Sequence, residues 1–570
     1  MKLKALIIVV SLLIALELVL AEKVEILIPN GKIIGEHFLS EDGHEINRFL
    51  GIPYAEPPID ELRFKKTAPK NKWTEPIEAL KWPPNCLQPI QLRTTVDYTT
   101  ILRNYSQEMS EDCLYLNVWS PNVNALNENN LRPVMFWIHG GGLKVGGSSS
   151  LVNDMETIST MMDAVMVSFN YRLGPLGYFY SEKIEEIKGN QGFWDQATAL
   201  KWVNENIRYF GGDPKRITIA GLSAGSWSVS LHILSPITRD LFQNAIMMSG
   251  AATKGLVKTP ENALQKEMLM IKSLGCANEQ DESVTKETVE CLNKLDWKDM
   301  INKINPSGLE TNVIIDGEFL PDLPDLMLLN GNHKKNFNIL VDTVENEGGF
   351  WFKLFFPSFD NDSSMHLNDV RDALKKSIQT ITDDKISFDL DLISRFYYNG
   401  FDDNFDDSEL FKKQTSIAFG DLILTCPTLS FVRNIFSSSP STINVYQWFY
   451  KAKIGKTIPW CHKFDGACHG GDSWPFFGIP FSQHSQHHDR EREISREVID
   501  FVNSFIRTGT PGPNHPAWMK YFLMKDLKQN EHVIAPYYII DNNYRTASHY
   551  QFNLRQIECD FVWNPSPNQS

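Results

Sequence analysis

The chain has 570 residues, of which 42% are hydrophobic and 11% aromatic, as expected for a globular protein. Acidic residues outnumber basic ones by 70 to 55, so the formal net charge is −15. This balance argues against nucleic acid or an anionic membrane as a partner, because both bind basic surfaces.

The N-terminus has the pattern of a secretory signal. Lys2 and Lys4 precede an apolar stretch over residues 5–16, and Val19 and Ala21 occupy the small-residue positions before a cleavage site. This apolar stretch is too short to span a bilayer, and the C-terminal residues lack the hydrophobic tail of a lipid-anchor signal. We therefore predict a signal peptide over residues 1–21, a single domain over residues 22–570, and a secreted protein without a membrane span.

Strand patterns alternate with helix patterns along the rest of the chain. The short runs VEILIP and NRFLGIP precede three longer β-rich runs, CLYLNVWSP, PVMFWIHGGG and AVMVSFNYRLG. The segment QGFWDQATALKWVNENIRYFGGDP has helical spacing and is followed by the strand RITIAG. Two further strands, NFNILVDTVE and STINVYQWFY, precede the amphipathic helix REREISREVIDFVNSFIRTG. This order predicts an α/β fold with a mostly parallel twisted sheet and helices on both faces.

The eight cysteines and three glycosylation motifs are consistent with an oxidising compartment. Cys86 with Cys113, and Cys276 with Cys291, are close enough in sequence to close local loops. Composition does not select one disulfide pattern among the many that eight cysteines allow. The Asn-x-Ser/Thr motifs that predict glycosylation begin at Asn104, Asn361 and Asn568.

Two segments contain residue types that bind metals. From Asp402 the acidic run FDDNFDDSEL has the spacing Asp-x-Asn-x-Asp. Asp407, however, stands where a calcium loop needs glycine, and Lys413 stands where it needs a bidentate glutamate. The histidines of HSQHHD have no evident cage of cysteines or carboxylates around them. We therefore predict solvated loops and no metal site.

One serine has the sequence context of a nucleophile. Ser223 lies between Gly221 and Gly225 where the strand ITIAG gives way to a helix pattern, as in a G-x-S-x-G elbow. Further upstream, the strand FWI leads into HGGG, whose glycines allow backbone N–H groups to converge on one point. With the N–H of Ala224, such donors can stabilise the oxyanion of a tetrahedral intermediate. The combination indicates acyl transfer rather than a simple turn.

A serine nucleophile needs a base and an acid that orients the base. Glu347 lies in a turn after an apolar strand, and His469 lies in the later glycine-rich segment ACHGGD. The order serine, acid, histidine is the one expected for this strand–elbow–helix architecture. Ser223, Glu347 and His469 are therefore the candidate catalytic residues.

With these motifs the chain resembles the cholinesterase and type-B carboxylesterase family of the α/β-hydrolase fold. The similar segments include FLGIPYAEPP, SEDCLYLNVWSP, NYRLGPLGYF, GLSAGS and ACHGGD, and they extend over nearly the whole mature chain. The resemblance implies that Ser223 is acylated, that His469 acts as general base and then acid, and that Glu347 orients it.

The same resemblance implies further site residues. Gly141, Gly142 and Ala224 match the oxyanion-hole donors of the family. The implied disulfides are Cys86–Cys113, Cys276–Cys291 and Cys426–Cys559, the third being typical of the cholinesterase branch. Cys461 and Cys468 match no family pair, so they either form a local bridge or remain free.

The substrate-binding positions depart from the choline-binding pattern of the family. Arg103 falls where family members carry a tryptophan, and Leu222 replaces the carboxylate beside the nucleophile. Gln91 replaces an acid at the mouth of the site, whereas Phe350 and Trp351 keep aromatic character. A quaternary ammonium ligand favours aromatic faces, and a cation such as Arg103 repels it.

We therefore predict a general carboxylic-ester hydrolase that acts on a small-molecule ester and needs no cofactor. A displaced aromatic such as Tyr105 leaves open the alternative of a cholinesterase acting on choline esters. A second alternative is a non-catalytic adhesion or binding protein of the same fold. No tetramerisation helix resembling that of cholinesterases follows the domain, so we expect a monomer or a simple homodimer.

Overall fold

The computed structural model describes most of the chain. The described residues are 22–40, 43–89, 108–121, 130–150, 154–253, 255–302, 304, 313–359, 364–382, 388–399, 407–453, 461, 465–482, 489–512, 518–526, 528–542 and 550–563. The predicted signal peptide, the glycosylation motifs at Asn104, Asn361 and Asn568, and the substrate-position residues Gln91, Arg103 and Tyr105 lie outside this part of the chain. The start of the acidic run and the histidines of HSQHHD lie outside it as well.

A large twisted sheet forms the centre of the structure. Its strands are hydrogen-bonded in the order β1-β2-β3-β7-β9-β8-β10-β11-β14-β15-β18-β19, with β4 paired to β2. In chain order the strands are β1 (Glu22–Ile28), β2 (Gly31–Leu39), β3 (Glu45–Pro53), β4 (Ile77–Glu78), β5 (Asn85–Cys86), β6 (Met109–Ser110), β7 (Tyr115–Pro121), β8 (Arg132–Ile138), β9 (Val165–Phe169), β10 (Gly212–Leu222), β11 (Asn244–Met248), β12 (Val257–Lys258), β13 (Val313–Ile314), β14 (Phe337–Val344), β15 (Ile443–Tyr450), β16 (Phe522–Lys525), β17 (Glu531–Ile534), β18 (Pro536–Ile540) and β19 (Tyr550–Phe552).

The middle of the sheet is parallel and its edges are antiparallel. From β9 through β8, β10, β11, β14 and β15 to β18, neighbouring strands run in the same direction. The pairs β1/β2, β2/β3, β3/β7, β7/β9 and β18/β19 are antiparallel. The carboxyl ends of the central strands therefore meet at one edge, where α/β proteins place their sites.

Helices connect the central strands. In chain order they are α1 (Glu156–Met162), α2 (Gly174–Gly177), α3 (Gln191–Asn206), α4 (Ala224–Leu234), α5 (Pro260–Ser273), α6 (Lys286–Asn293), α7 (Trp297–Met300), α8 (Pro324–Leu329), α9 (Gly349–Phe355), α10 (Leu367–Thr382), α11 (Leu390–Tyr397), α12 (Ser408–Gly420), α13 (Cys426–Ser438), α14 (Ser473–Phe476) and α15 (Asp489–Thr508). A π-helical turn, Asp421–Thr425, joins α12 to α13.

The two faces of the sheet bury separate hydrophobic clusters, as the alternation of side chains along a strand requires. On β10, Ile219 packs into the cluster that contains residues of α3 and α4. The next residue, Ala220, packs into the cluster that contains residues of α1 and α15. Helices thus cover both faces, and the predicted α/β architecture is confirmed.

The continuous helical segment Ser408–Ser438 is long and apolar enough to cross a membrane by length and composition. In the folded protein, 78% of its most apolar window is buried. Its residues Phe411, Phe419 and Cys426 belong to a hydrophobic cluster with residues of α10 and α11. These contacts are those of a core helix.

Candidate active site

The elbow at Ser223 follows from the residues on either side of it. Strand β10 ends at Leu222 and helix α4 begins at Ala224, so Ser223 alone makes the turn, with φ 59° and ψ −123°. A non-glycine residue in this region is strained and persists only where its surroundings hold it. The Ser223 N–H donates to the Met248 carbonyl oxygen at 2.9 Å, and its own carbonyl accepts from the Trp227 N–H at 2.9 Å.

The two flanking glycines are needed because backbones approach each other closely here. A Cβ at Gly221 would lie 2.5 Å from the carbonyl carbon of Gly225. A Cβ at Gly225 would overlap the Ile138 carbonyl oxygen at the end of β8 and lie 3.0 Å from its carbon. Real Cβ contacts are essentially never this short. The motif therefore brings α4 against β8 and presents the serine at the carboxyl edge of the sheet.

The HGGG segment passes directly over the elbow. A Cβ at Gly140 would lie 2.7 Å from the Leu222 carbonyl oxygen and 3.2 Å from Ser223 Cβ. Gly141 and Gly142 follow with φ of 113° and 62°, a backbone region that favours glycine. The proposed oxyanion donors Gly141 and Gly142 thus lie on a loop that contacts the elbow carrying the third, Ala224.

His139, at the start of this segment, is a structural residue. Its ring stacks on Tyr171 with centroids 4.3 Å apart, and its Nδ1 donates to the Gly140 carbonyl oxygen at 2.8 Å. Burial lowers the pKa of His139 to about 4. A neutral ring held in this way orients the glycine loop and takes no part in proton transfer near neutral pH.

Glu347 and His469 form a buried hydrogen-bonded pair. Glu347 Oε2 accepts from His469 Nδ1 at 2.7 Å, and Glu347 Oε1 accepts from the Val344 N–H at 3.0 Å. The glutamate side chain is 0% exposed and the histidine side chain 6% exposed. Because an ionised carboxylate only accepts, the hydrogen bond places a proton on Nδ1 of His469.

The loops that carry this pair are joined by backbone and side-chain hydrogen bonds. The Asn346 N–H donates to the Ala467 carbonyl oxygen at 2.9 Å. The Asn346 side chain donates to Ser416 Oγ at 2.8 Å and to Asp465 Oδ1 at 3.1 Å. Asn346 thus positions its neighbour Glu347. Asn346 itself was not among the residues predicted from the sequence.

The strand register brings the serine to the same edge as the acid–histidine pair. Leu222 on β10 pairs with Met248 on β11, and Met248 pairs with Asp342 on β14. Ser223 therefore follows a strand end two strands away from the one that Glu347 follows, and the Ser249 N–H links β11 to the Asp342 carbonyl oxygen at 3.2 Å. Ser223 and Glu347 thus lie at the carboxyl edge of the central sheet, and the hydrogen bond between Asn346 and Ala467 brings the loop of His469 to the same edge.

Comparison with known proteins agrees with this architecture. The model of the carboxylesterase family matches residues 22–557. The chain is 32% identical to the acetylcholinesterase of Bungarus fasciatus over 537 residues, which cover 92% of this chain and 83% of that relative. It is 32% identical to the cholinesterase of Mus musculus over 479 residues, or 82% and 76% of the two chains.

The chain belongs to the carboxylesterase family. It therefore has the α/β-hydrolase fold and is a carboxylic-ester hydrolase. An acetylcholinesterase of Leptinotarsa decemlineata is also similar, at 30% identity over 84% of this chain.

The disulfides of this carboxylesterase include the three implied by the resemblance. Cys86 is bonded to Cys113, Cys276 to Cys291, and Cys426 to Cys559. A fourth bond joins Cys461 to Cys468, which resolves the alternative that the sequence left open. This bond closes a short loop directly before His469.

Two aromatic side chains of the carboxylesterase lie beside the histidine ring. The rings of Phe350 and Trp351 lie with centroids 5.7 and 6.3 Å from that of His469. Leu222, next to the serine, packs partly buried against a core cluster. Among the described residues, no group of three or more His, Cys, Asp or Glu side chains has the arrangement of a metal site. Asp407 instead caps α12 by accepting from the Leu410 N–H at 3.0 Å.

Proposed function

We propose that this carboxylesterase hydrolyses neutral carboxylic esters through an acyl-enzyme formed on Ser223. The observation that carries the proposal is the buried Glu347–His469 pair at the same sheet edge as the strained serine elbow. A free serine hydroxyl is a poor nucleophile, and a histidine held in one tautomer by a carboxylate is the base that activates it.

In the first step Ser223 Oγ attacks the ester carbonyl carbon, and His469 Nε2 accepts the hydroxyl proton. The carbonyl oxygen becomes an oxyanion, and the N–H groups of Gly141, Gly142 and Ala224 are proposed to stabilise it. Loss of one such donor typically lowers the rate about a hundred- to a thousandfold. His469 then donates the proton to the departing alcohol oxygen, which leaves the acyl group on Ser223.

In the second step water attacks the acyl carbonyl while His469 accepts one of its protons. Collapse of the second tetrahedral intermediate releases the acid and returns the proton to Ser223. Glu347 stabilises the imidazolium in both steps and keeps Nδ1 protonated. This role is consistent with its complete burial, because a desolvated carboxylate interacts more strongly with a neighbouring cation.

The substrate is proposed to be a neutral ester because the site has lost groups that favour a cation. Leu222 places an apolar side chain beside the serine where the family pattern has a carboxylate. The cholinesterase alternative is supported by Phe350 and Trp351, which flank the His469 ring, and by relatives that are named cholinesterases. A carboxylate beside such aromatic faces would add Coulombic attraction for a quaternary ammonium, and Leu222 supplies no such charge.

The test compares hydrolysis of a neutral aryl acetate and of acetylthiocholine by the wild type, Ser223→Ala and a control, Ser228→Ala. Ser228 is a buried serine on the same helix, and its hydroxyl donates to the Ala224 carbonyl oxygen. We expect turnover of the neutral ester that is lost in Ser223→Ala and retained in Ser228→Ala. A strong preference for acetylthiocholine would contradict the proposed substrate class. No turnover of either ester would favour the non-catalytic binding protein.

Secretion is the second part of the proposal. The basic and apolar N-terminal residues, the three glycosylation motifs and the four disulfides support export through an oxidising compartment. Expression in a secretory host should yield medium-borne protein that begins at Glu22, with a mass that falls on enzymatic deglycosylation. Sedimentation of that protein tests the proposed monomer or homodimer.

A further inference from the structure

A buried glutamine outside the proposed catalytic residues is hydrogen-bonded to the loop that carries the oxyanion glycines. Gln88 lies two positions after Cys86, the last residue of β5, and is 2% exposed. Its Nε2 donates to the Gly146 carbonyl oxygen at 2.7 Å, and its Oε1 accepts from the Gly146 N–H at 2.9 Å. The ester-hydrolysis mechanism described above gives this side chain no role.

The side-chain amide of Gln88 uses both of its donors and its acceptor. A further hydrogen bond runs from Nε2 to the Cys86 carbonyl oxygen at 3.0 Å. The opposite orientation of the amide would place Oε1 against two carbonyl oxygens, so these contacts fix which way the amide points. Cys86 is joined to Cys113 by a disulfide, and Gln88 therefore fastens Gly146 to a covalently closed part of the chain.

Gly146 lies directly against the beginning of the glycine loop. A Cβ at Gly146 would lie 2.6 Å from the Gly140 carbonyl oxygen and 2.5 Å from His139 Nδ1. The same carbonyl oxygen accepts from His139 Nδ1. The peptide bonds of the described residues are trans, and a trans peptide is planar. The direction of the Gly140 carbonyl therefore sets the direction of the Gly141 N–H, the first proposed oxyanion donor.

A tight turn sets the direction of the second proposed donor. The Gly141 carbonyl oxygen accepts from the N–H groups of Lys144 and Val145, each at 3.0 Å. This carbonyl shares a peptide plane with the Gly142 N–H, so the turn orients that donor as well. Val145 is followed directly by Gly146, so Gln88 holds the residue at which the turn ends.

We propose that Gln88 is a positioning residue for the oxyanion hole, which acts through Gly146 to keep the N–H groups of Gly141 and Gly142 directed at the reacting carbonyl. The inference rests on the proposed acyl-transfer function and deepens it. Oxyanion donors stabilise a transition state most when they are in place before the reaction begins. A neutral amide suits this role, because it binds both backbone groups of Gly146 without placing a negative charge near the oxyanion.

The test compares Gln88→Met with a matched control, Gln191→Met. Methionine keeps the length of the glutamine side chain and removes its hydrogen bonds. Gln191 is also buried, and its Nε2 donates to the carbonyl oxygens of Phe64 and Phe179, each at 2.7 Å. These two phenylalanines belong to a different hydrophobic cluster from that of Leu143 in the glycine loop. The control therefore loses comparable hydrogen bonds at another place in the fold.

The readouts are kcat/KM for the neutral aryl acetate and inhibition by two related compounds, an aryl trifluoromethyl ketone and the alcohol formed by its reduction. Ser223 Oγ adds to the carbon of the ketone while the serine proton moves to His469, so the ketone oxygen becomes an oxyanion. The alcohol has no carbonyl group and forms no such adduct. The ketone therefore reports on the oxyanion hole, and the alcohol reports on binding without it.

We expect Gln88→Met to lower kcat/KM about tenfold and to weaken inhibition by the ketone about tenfold, with inhibition by the alcohol within about twofold of the wild type. The loss is smaller than that of an entire donor because the Leu143 carbonyl oxygen still accepts from the Gly174 N–H at 2.8 Å. Gln191→Met should keep the wild-type values of all three. An unchanged kcat/KM in Gln88→Met, a fall without weaker ketone inhibition, or equal weakening of the ketone and the alcohol would each overturn the proposal.

A second measurement does not depend on activity. In the Ser223→Ala background, hydrogen exchange measured by mass spectrometry should become faster in peptides that cover residues 139–146 when Gln88 is replaced by methionine. The same peptides should be unchanged in Gln191→Met. Exchange that stays at the parent rate in Gln88→Met would refute the hold of Gln88 on the glycine loop. Absence of Ser223-dependent turnover in the wild type would instead refute the proposed function, and the exchange result would still decide whether Gln88 orders this loop.

Discussion

Replacing Gly225 by alanine tests whether the close approach of α4 to β8 is needed for activity. The added methyl group would overlap the Ile138 carbonyl oxygen and lie 3.1 Å from the His139 carbonyl oxygen. The Ile138 oxygen cannot move easily, because Ile138 is held in the sheet by its pairing with Gly221. Gly225 has helical φ, so the substitution adds a steric clash without adding backbone strain.

The expected losses of stability and of kcat/KM in Gly225→Ala follow from the shift that the added methyl group forces on α4. Overpacking of a filled interior costs about 1–3 kcal/mol, and a clash with backbone belongs at the upper end. Relief requires the first turn of α4 to shift away from β8, and this turn carries Ser223 and Ala224. A displacement of about 1 Å at a reacting group can cost roughly a hundredfold in rate. We therefore expect kcat/KM to fall about a hundredfold and the thermal unfolding temperature to fall by a few degrees.

The assay is hydrolysis of the neutral aryl acetate together with thermal unfolding, and the matched control is Gly255→Ala. A Cβ at Gly255 would meet Thr253 Oγ1 at 3.7 Å, which is an ordinary contact, and Gly255 does not have positive φ. The control should behave as the wild type. If Gly225→Ala retained kcat/KM within about twofold of the wild type, the argument from the close approach would be refuted.

Three further predictions concern charge, protonation and covalent links. Glu347→Gln should lower kcat about ten-thousandfold, because an amide can hold His469 in the wrong tautomer; a loss below about tenfold would contradict the role of the carboxylate. Burial raises the pKa of Asp342 in the folded protein above its value in the unfolded chain, so the wild type loses stability as pH rises between these two pKa values. The free energy of unfolding of Asp342→Asn, measured in urea, should therefore rise relative to that of the wild type by up to about 1.4 kcal/mol per pH unit. A constant difference between pH about 5 and about 7 would contradict this. Replacing Cys426 and Cys559 by serine opens a link between residues 133 positions apart and should cost about 2–5 kcal/mol, and an unchanged unfolding midpoint would argue against this.

Much of the fold could be predicted because its signals are local. The helix predicted in QGFWDQATALKWVNENIRYFGGDP is α3, Gln191–Asn206, followed by a 3₁₀ turn. The strand RITIAG is the end of β10, and STINVYQWFY contains β15. Apolar spacing and glycine or proline stops act within one element, so they can be recognised without knowing what the element packs against.

The pairing of distant segments could not be predicted in this way. The sequence order of the strands does not indicate that β9 lies between β7 and β8, or that β14 pairs with both β11 and β15. The bond between Cys461 and Cys468 also depended on how the loop before His469 folds. Register and loop closure are set by contacts between residues far apart in sequence, which no local pattern records.

By itself the sequence determined the α/β class, the glycine-bracketed serine, the oxyanion glycines and the two partner residues as candidates. These features carry their own signature, because an elbow and a glycine loop need particular residues at fixed spacing. Only the tertiary structure decided that Glu347 and His469 are hydrogen-bonded at 2.7 Å and that the nearby Asp342 and Asp472 are buried. Hydrogen bonds and shifted pKa values depend on burial and on neighbours from other elements, and both exist only once the chain has folded.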